Sequence, residues 1–295
     1  MDFLSLLHEK EILLFDGALG TELMLRGLKA GEAPDKWNID HPEVIREVFQ
    51  KYFDAGSDIV QTATFRANGV ALEKYGIENL LEEINKNSGK ILQSICPPNK
   101  CVIGDIGPSG EFLEPVGKAS INELKLGFQR QAKALAPYVD AWHLETFSDI
   151  REMKAAILAV QIESNKPIIA SMTYRKTLKG YFTIMGNSAI DCTSELLNSG
   201  AAVIGSNCTL SSDDFLELVK TMREVAPKTP LSIKPNAGNP QLENGKSVYK
   251  QPPEDFAKDI KNILEQDGQI VGGCCGTGPR HIQLLRKIID ELRGG

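Results

Sequence analysis

Short apolar runs alternate with longer amphipathic segments along the whole chain, and this alternation most limits the folds that it can adopt. The apolar runs predict strands at residues 12–15, 58–62, 101–106, 141–146, 167–173, 202–207, 231–235 and 269–272. Most of them are nearly continuous in apolar character, which is typical of parallel strands buried on both faces.

A helical pattern follows each predicted strand. The helices are predicted near residues 41–55, 79–95, 122–135, 149–164, 187–198, 213–225, 253–266 and 279–292. Eight strands and eight helices in alternation within 295 residues predict one α/β domain, a single (β/α)8 TIM barrel over residues 1–295. An open doubly wound sheet is the alternative, but Gly17-Ala18-Leu19-Gly20 does not match the glycine pattern that usually follows its first strand.

Composition excludes several classes of partner. The net charge is −6 without a basic block, which argues against nucleic acid and anionic membranes. No run approaches the roughly 18 apolar residues of a membrane span, and the N-terminus lacks the pattern of a secretory signal. We therefore expect a cytoplasmic protein whose six cysteines are reduced thiols rather than a disulfide framework.

Barrel enzymes carry their sites at the carboxyl ends of the strands, so the residues just after each predicted strand are the candidates. These rim residues are Asp16, Gly17, Thr62, Thr64, Asp105, Glu145, Thr173, Asn207, Cys208, Asn236, Cys274 and Cys275. Strands six and eight are near neighbours in a barrel, so Cys208 is expected to reach the Cys274–Cys275 pair.

The three rim cysteines predict a zinc site with one open position. Glycines flank Cys274 and Cys275, and a helix is predicted to start at Pro279, whose positive end favours thiolate. Two alternatives remain, namely cysteines packed as small apolar residues and a redox pair, although adjacent cysteines form a strained disulfide. The other cysteines, Cys96, Cys101 and Cys192, are interpreted as structural.

Two acids at the rim are candidate binding residues. Asp16 precedes a glycine and is alternatively a turn residue. Glu145 is alternatively a helix cap, although Ser148 and Asp149 already supply that function. His143, in the middle of a strand, is interpreted as a packing residue of the barrel.

Zinc held by three thiolates carries a net charge of −1 and is therefore poorly suited to activating water. It can instead take a thiol as its fourth ligand and remove the thiol proton near neutral pH. This chemistry favours transfer of an alkyl group to a thiol.

Six segments together resemble the homocysteine S-methyltransferase family. They are Phe15-Asp16-Gly17-Ala18-Leu19-Gly20-Thr21-Glu22, Gly104-Asp105-Ile106-Gly107-Pro108-Ser109-Gly110, Glu145-Thr146-Phe147-Ser148-Asp149, Asn207-Cys208, Pro235-Asn236-Ala237-Gly238 and Gly272-Gly273-Cys274-Cys275-Gly276-Thr277. Within that family the chain is most similar to the N-terminal homocysteine-binding module of cobalamin-dependent methionine synthases.

The resemblance implies a (β/α)8 barrel that transfers a methyl group to homocysteine, with Cys208, Cys274 and Cys275 as zinc ligands. It implies that Asp16 and Glu145 receive the substrate ammonium, and that backbone N–H groups of Gly17, Ala18 and Leu19 bind its carboxylate. It also implies that Asn236 lies near the metal and fills the open position when substrate is absent.

The methyl donor is the point at which the chain departs from that module. Thr62-Ala63-Thr64-Phe65 stands where the module usually has Thr-Asn-Thr-Phe, and the loop at 174–186 also differs. We expect the chain to lack the folate and cobalamin modules and therefore to use a separate methyl-corrinoid protein as donor, and a module of a longer enzyme is the alternative that would have the same sequence. The alternative is a small onium donor, namely S-methylmethionine, S-adenosylmethionine or a betaine, walled by aromatic residues. The candidate walls are Phe65, Trp142, Tyr174, Tyr181 and Phe182.

Three further hypotheses stay open. The first is methyl transfer between a corrinoid protein and another thiol. The second is a zinc-stabilised barrel that serves as a binding subunit, and the third is thiol redox chemistry without a metal.

Overall fold

Eight parallel strands form one sheet that curves into a nearly closed barrel. The computed structural model describes residues 2–243, 246–266 and 268–294. The strands are β1 Leu13–Leu14, β2 Ile59–Gln61, β3 Cys101–Ile106, β4 Ala141–Phe147, β5 Ile168–Met172, β6 Val203–Ser211, β7 Leu231–Asn236 and β8 Ile270–Val271. Their order in the sheet is β1-β8-β7-β6-β5-β4-β3-β2, which is sequential order read around a barrel. The predicted (β/α)8 fold is confirmed.

Helices surround this sheet. They are α1 Phe3–Lys10, α2 Leu19–Leu25, α3 Trp37–Asp40, α4 Pro42–Asp54, α5 Gly69–Glu73, α6 Leu81–Ile95, α7 Ile121–Leu135, α8 Ile150–Glu163, α9 Ala189–Asn198, α10 Phe215–Val225, α11 Pro253–Leu264 and α12 Pro279–Gly294. All eight predicted helices are present, whereas α1, α2, α3 and α5 were not predicted. Among the described residues, no helix combines the length and apolar character needed to cross a membrane.

Two antiparallel hairpins extend from loops at the carboxyl ends of the strands. The first pairs Arg175–Thr177 with Gly180–Phe182, after β5, and the second pairs Gln241–Glu243 with Lys246–Val248, after β7. The first hairpin occupies the loop at 174–186 that the sequence marks as unusual.

The lower half of the barrel interior is apolar. Helix α1 buries Phe3 and Leu6 against strand residues that point inward. The strand residues of this cluster are Leu13, Phe15, Ile59, Cys101, Ile103, Ala141, Ile169, Val203 and Ile270. Burial in this layer raises the pKa of the Cys101 thiol to about 12, in agreement with its predicted structural role.

Side chains close the barrel where β1 meets β2. Within the described residues these two strands share no ladder of paired residues, but the Asp58 N–H donates to the Leu14 carbonyl at 2.7 Å. The Asp58 carboxylate accepts the Leu14 N–H at 2.9 Å, and it also contacts Lys10 at 2.5 Å and Arg286 at 3.1 Å. One buried carboxylate thus joins both strands to α1 and α12.

Another buried carboxylate, Asp35, holds the loops after β1 and β2 together. It accepts the backbone N–H of Arg66 at 3.0 Å, and burial raises its pKa from 3.8 to about 6. The folded protein therefore binds the Asp35 proton more tightly than the unfolded chain does. Ionisation of the buried Asp35 carboxyl lowers the free energy of unfolding, and this loss is absent below pH 3.8 and complete above about pH 6.

We therefore expect Asp35→Asn to raise the free energy of unfolding by up to about 3 kcal/mol near pH 8 and by little near pH 3.5. The amide keeps an oxygen for the Arg66 N–H but has no charge to desolvate. Urea denaturation at both pH values measures the difference. Asp40→Asn, at a more exposed carboxylate paired with Lys36, serves as the control. An equal gain at both pH values would contradict the assignment to Asp35 ionisation.

Candidate active site

A bulge in β6 presents Cys208 at the barrel rim. The register of β6 against β7 shifts between Asn207 and Ser211, and both Cys208 and Thr209 have φ of +61°. Residues other than glycine rarely adopt this conformation, and it persists where the surrounding structure enforces it. Bulges of this kind redirect side chains next to active sites. Here the bulge interrupts the alternation of inward and outward side chains along β6 at the position of Cys208.

Two backbone hydrogen bonds fix the loop after β8 to the end of β7. The Cys274 N–H donates to the Pro235 carbonyl at 2.7 Å, and the Cys275 carbonyl accepts the Ala237 N–H at 2.9 Å. Gly273 is required here, because a Cβ at that position would lie 2.3 Å from the Thr277 hydroxyl oxygen. The loop therefore holds both thiols in one position relative to β7.

The structure brings the three predicted thiols together. The Sγ atoms of Cys208, Cys274 and Cys275 all lie within 4.8 Å of one another, and those of Cys208 and Cys275 are 3.8 Å apart. Two sulfurs that bind one tetrahedral zinc ion at about 2.3 Å each are separated by about 3.8 Å. The spacing and chemistry of these donors therefore fit a zinc ion.

The electrostatics of the cluster also favour a cation. Hydrogen bonds from Cys208 and Cys274 lower the pKa of Cys275 to about 3. The hydrogen bonds of Cys274 with Cys208 and Cys275, together with burial, raise the pKa of Cys274 well above its ordinary value. One thiolate is thus stabilised by its neighbours, whereas further ionisation places like charges together and needs a positive ion.

Asn236 lies between the two backbone bonds that fix the thiol loop. It is buried, and its Oδ1 atom has no hydrogen-bond partner among the described residues. A buried amide oxygen without a partner is costly, and it is a suitable ligand or hydrogen-bond acceptor for a bound group.

Asp16, predicted at the rim after β1, is buried and already paired. Its Oδ1 accepts from the Lys234 ammonium at 2.8 Å, and its Oδ2 accepts the Gln61 N–H at 2.8 Å. Burial raises the pKa of Asp16, and the Lys234 charge opposes that rise. Desolvation lowers the pKa of Lys234, but Asp16 and Glu145 outweigh it, so that the net shift is upward.

Glu145, predicted at the rim after β4, is held by neutral amides. Gln61 Nε2 donates to its Oε1 at 3.1 Å, and Asn207 Nδ2 donates to its Oε2 at 3.1 Å. Burial raises the pKa of Glu145. The Asn207 amide also lies 3.8 Å from the Cys274 sulfur, so this residue connects the acid to the thiols.

Asp105, also at the rim, shares this polar layer. Its Oδ2 accepts from Gln61 Nε2 at 3.4 Å, whereas its Oδ1 has no partner among the described residues. Burial first, and the charge of Glu145 second, raise the pKa of Asp105 well above its ordinary value, which favours the protonated acid.

Sequence analysis missed three members of the layer. Lys234 and Gln61 were not singled out, and His143 was assigned to packing. His143 is fully buried, with Nδ1 3.0 Å from Gln61 Oε1 and Nε2 2.8 Å from Ser171 Oγ. Burial lowers its pKa well below the ordinary value, so the imidazole is neutral. The signal was available, because a lysine or glutamine inside an apolar strand contradicts simple packing.

Two other predicted groups are engaged elsewhere. The Ala18 N–H donates to the carbonyl and the hydroxyl of Thr277, both at 3.2 Å, so the chain itself occupies one of the three amides predicted for the substrate carboxylate. Trp142, a suggested wall for an onium donor, is fully buried and donates its indole N–H to Ser164 at 3.2 Å. The indole therefore lies outside the candidate site, and its suggested role is wrong.

Known proteins are similar to this chain in sequence and in fold. The chain is 27% identical over 315 residues to the methionine synthase of Mycobacterium leprae (strain TN), covering 100% of this chain and 26% of that protein. It is 27% identical over 313 residues to the methionine synthase of Mycobacterium tuberculosis (strain ATCC 25618 / H37Rv), covering 99% of this chain and 26% of that protein. The chain thus spans about a quarter of the length of the curated relatives that it matches.

The crystal structure of the metallated homocysteine methyltransferase MmuM from Escherichia coli has the same fold. It superposes with a TM-score of 0.80 at 22% identity, covering 96% of this chain and 98% of that chain. The family model described as homocysteine S-methyltransferase matches residues 13–289, which is nearly the whole chain. The chain therefore belongs to the homocysteine S-methyltransferase family.

Proposed function

We propose that residues 1–295 form one barrel domain that uses a three-cysteine zinc site to transfer a methyl group to the thiol of homocysteine, giving methionine. The observation that carries this proposal is the convergence of three sulfurs within 4.8 Å of one another beside a buried acidic layer. Family membership and the similarity to methionine synthases support it.

Cys208, Cys274 and Cys275 would hold the zinc ion. When bound, the ion supplies a Lewis acid that keeps a substrate thiol ionised near neutral pH. The residues of the chain fix the three sulfurs through the β6 bulge and the two backbone bonds of the thiol loop. Asn236 offers its Oδ1 atom, which no described residue contacts through a hydrogen bond, to the ion or to the substrate.

The polar layer would bind the amino-acid part of homocysteine. Glu145 supplies negative charge for the ammonium, Asp16 belongs to the same layer, and the backbone N–H groups of Gly17 and Leu19 remain candidates for the carboxylate. Since Asn207 contacts both Glu145 and Cys274, an amino acid bound at the acid would place its thiol side chain toward the cysteines.

In the reaction, the homocysteine sulfur forms the new bond to the methyl carbon with its own electron pair. The bond between the methyl group and its donor breaks, and that electron pair stays with the donor. The thiol proton goes to solvent. We favour a methyl-corrinoid protein as donor, because Trp142 is buried away from the rim and the Tyr181 hydroxyl already donates to the Asp214 carbonyl at 2.8 Å.

The test is a donor screen with zinc-loaded protein and homocysteine, in which methionine formation is measured. A methyl-corrinoid protein is expected to support turnover, and S-methylmethionine, S-adenosylmethionine and betaine are not. Turnover with an onium donor would contradict the corrinoid protein as donor and would leave homocysteine as the acceptor. Absence of homocysteine binding would remove the proposed acceptor.

Removal of zinc with a chelator distinguishes the hypothesis of a zinc-dependent enzyme from that of a zinc-stabilised binding subunit. We expect homocysteine binding to be lost while the circular dichroism spectrum and the unfolding transition persist, because the apolar barrel core does not include the thiols. A chain that unfolds without zinc would favour a structural metal and a binding subunit. A Cys274–Cys275 disulfide in protein without zinc would favour thiol redox chemistry.

A further inference from the structure

Lys234 is a buried cation inside the polar layer of the barrel. Its side chain is 2% exposed, and its ammonium lies 2.8 Å from Asp16 Oδ1 and 3.0 Å from Gln61 Oε1. The ammonium also lies 3.8 Å from the centre of the Phe15 ring, which adds a cation–π contact. The chain thus carries its own ammonium group next to one of the two acids that the sequence resemblance assigns to the substrate ammonium.

This contact neutralises the charge of Asp16. One carboxylate oxygen accepts from Lys234 and the other accepts the Gln61 N–H. The ion pair of Asp16 and Lys234 has no net charge, and both partners of Asp16, Lys234 and Gln61, are fixed in strands. A second ammonium at Asp16 would face Lys234 at close range, and like charges repel strongly in a buried site.

Glu145 differs in the charge of its partners. Gln61 and Asn207 each donate one neutral amide hydrogen to it. These bonds orient the carboxylate without neutralising it, and each oxygen keeps a free lone pair. The charge of Lys234 also acts on Glu145 and opposes the rise of its pKa, but the Lys234 ammonium makes its ion pair with Asp16. Of the other groups that face Glu145, His143 is neutral and Asp105 is acidic.

We propose that Lys234 is a positioning residue that neutralises Asp16 and thereby leaves Glu145 as the sole carboxylate that contacts the substrate ammonium. This inference rests on the proposed function, because it concerns how the same site recognises an amino acid. Asp16 acts indirectly, by holding Lys234 and Gln61, and Gln61 in turn orients Glu145.

The experiment compares binding of homocysteine with binding of 4-mercaptobutyrate, which keeps the thiol and the carboxylate but lacks the amino group. Calorimetry on the zinc-loaded protein gives both dissociation constants. We expect the wild type to prefer homocysteine by roughly 10- to 100-fold, the range for a hydrogen bond to a charged group. Glu145→Gln is expected to bring the two affinities close to equality.

The matched variant is Lys234→Met with Asp16→Asn, which removes both buried charges together and keeps the size of the side chains. The inference predicts that this double variant keeps most of the preference for homocysteine. Loss of the preference to the same extent as in Glu145→Gln would mean that Asp16 contacts the ammonium, and would overturn the inference. Equal affinities of the wild type for homocysteine and 4-mercaptobutyrate would instead contradict the proposal that the substrate is an amino acid.

A crystal structure of the zinc-loaded wild type with homocysteine provides a measurement that needs no variant to fold. The expected result is a substrate ammonium within hydrogen-bond distance of Glu145, with Lys234 still bound to Asp16. A substrate ammonium bound to Asp16, with Lys234 displaced, would contradict the inference.

Discussion

Cys208→Ser is expected to abolish stable zinc binding and, with it, methyl transfer to homocysteine. A neutral hydroxyl replaces one of three thiolates. The loss of zinc affinity should therefore exceed the roughly 10- to 100-fold that follows mutation of a residue that only hydrogen-bonds to a metal ligand. Zinc content after purification under reducing conditions should fall from about one ion per chain to a small fraction. Because the bulge at Cys208 and Thr209 serves to aim this thiol, the fold itself should survive the change.

The matched control for this prediction is Cys96→Ser. Cys96 is a half-buried thiol that follows α6 and lies outside the three-cysteine group, so its replacement should leave zinc content unchanged. Equal zinc content in Cys208→Ser and the wild type would remove Cys208 from the site. No zinc in folded wild-type protein, even after remetallation, would exclude the proposed mechanism and leave the fold and family unaffected.

Asp58→Ala is expected to lower the free energy of unfolding by about 3–5 kcal/mol. The carboxylate joins β1 to β2 through the Leu14 N–H, and its removal leaves both Lys10 and Arg286 without this buried partner. Breaking a buried ion pair from one side is costly, because the remaining charge stays desolvated. Urea denaturation of the metal-free protein measures the change without a contribution from zinc binding.

Asp290→Ala provides the control, since Asp290 pairs with the same Arg286 but its side chain is 63% exposed. Exposed ion pairs contribute little, and this variant should lie within about 1 kcal/mol of the wild type. A loss in Asp58→Ala no larger than in Asp290→Ala would show that the barrel closes without this carboxylate.

The order and the kind of the barrel elements could be predicted from local sequence pattern. Parallel strands buried on both faces are continuously apolar, and each is followed by an amphipathic helix, so the pattern repeats visibly eight times. The rim residues follow from the same pattern, because the carboxyl ends of all strands meet at one face. That geometry was enough to predict that Cys208 would meet a pair 67 residues later in the chain.

Local pattern was less informative where elements are irregular or short. β6 extends beyond its predicted end at residue 207 to Ser211 through a bulge, and no alternation of residue types marks such a bulge. Helix α1 was missed, although its apolar face closes the lower end of the barrel. The closure between β1 and β2 depends on the Asp58 side chain rather than on a strand ladder.

Residue types and strand ends alone determined which acids and thiols would gather at one rim. Only the tertiary structure decided how their charges are paired. Asp16 and Lys234 are 218 residues apart, yet the curvature of the sheet brings their side chains to 2.8 Å inside the barrel. Each strand pattern shows that a polar side chain is buried, but the identity of its partner depends on the radius of the barrel and the tilt of all eight strands. The structure therefore gives Asp16 a charged partner in Lys234 and gives Glu145 neutral amide partners in Gln61 and Asn207. This distinction follows from packing and not from either residue type.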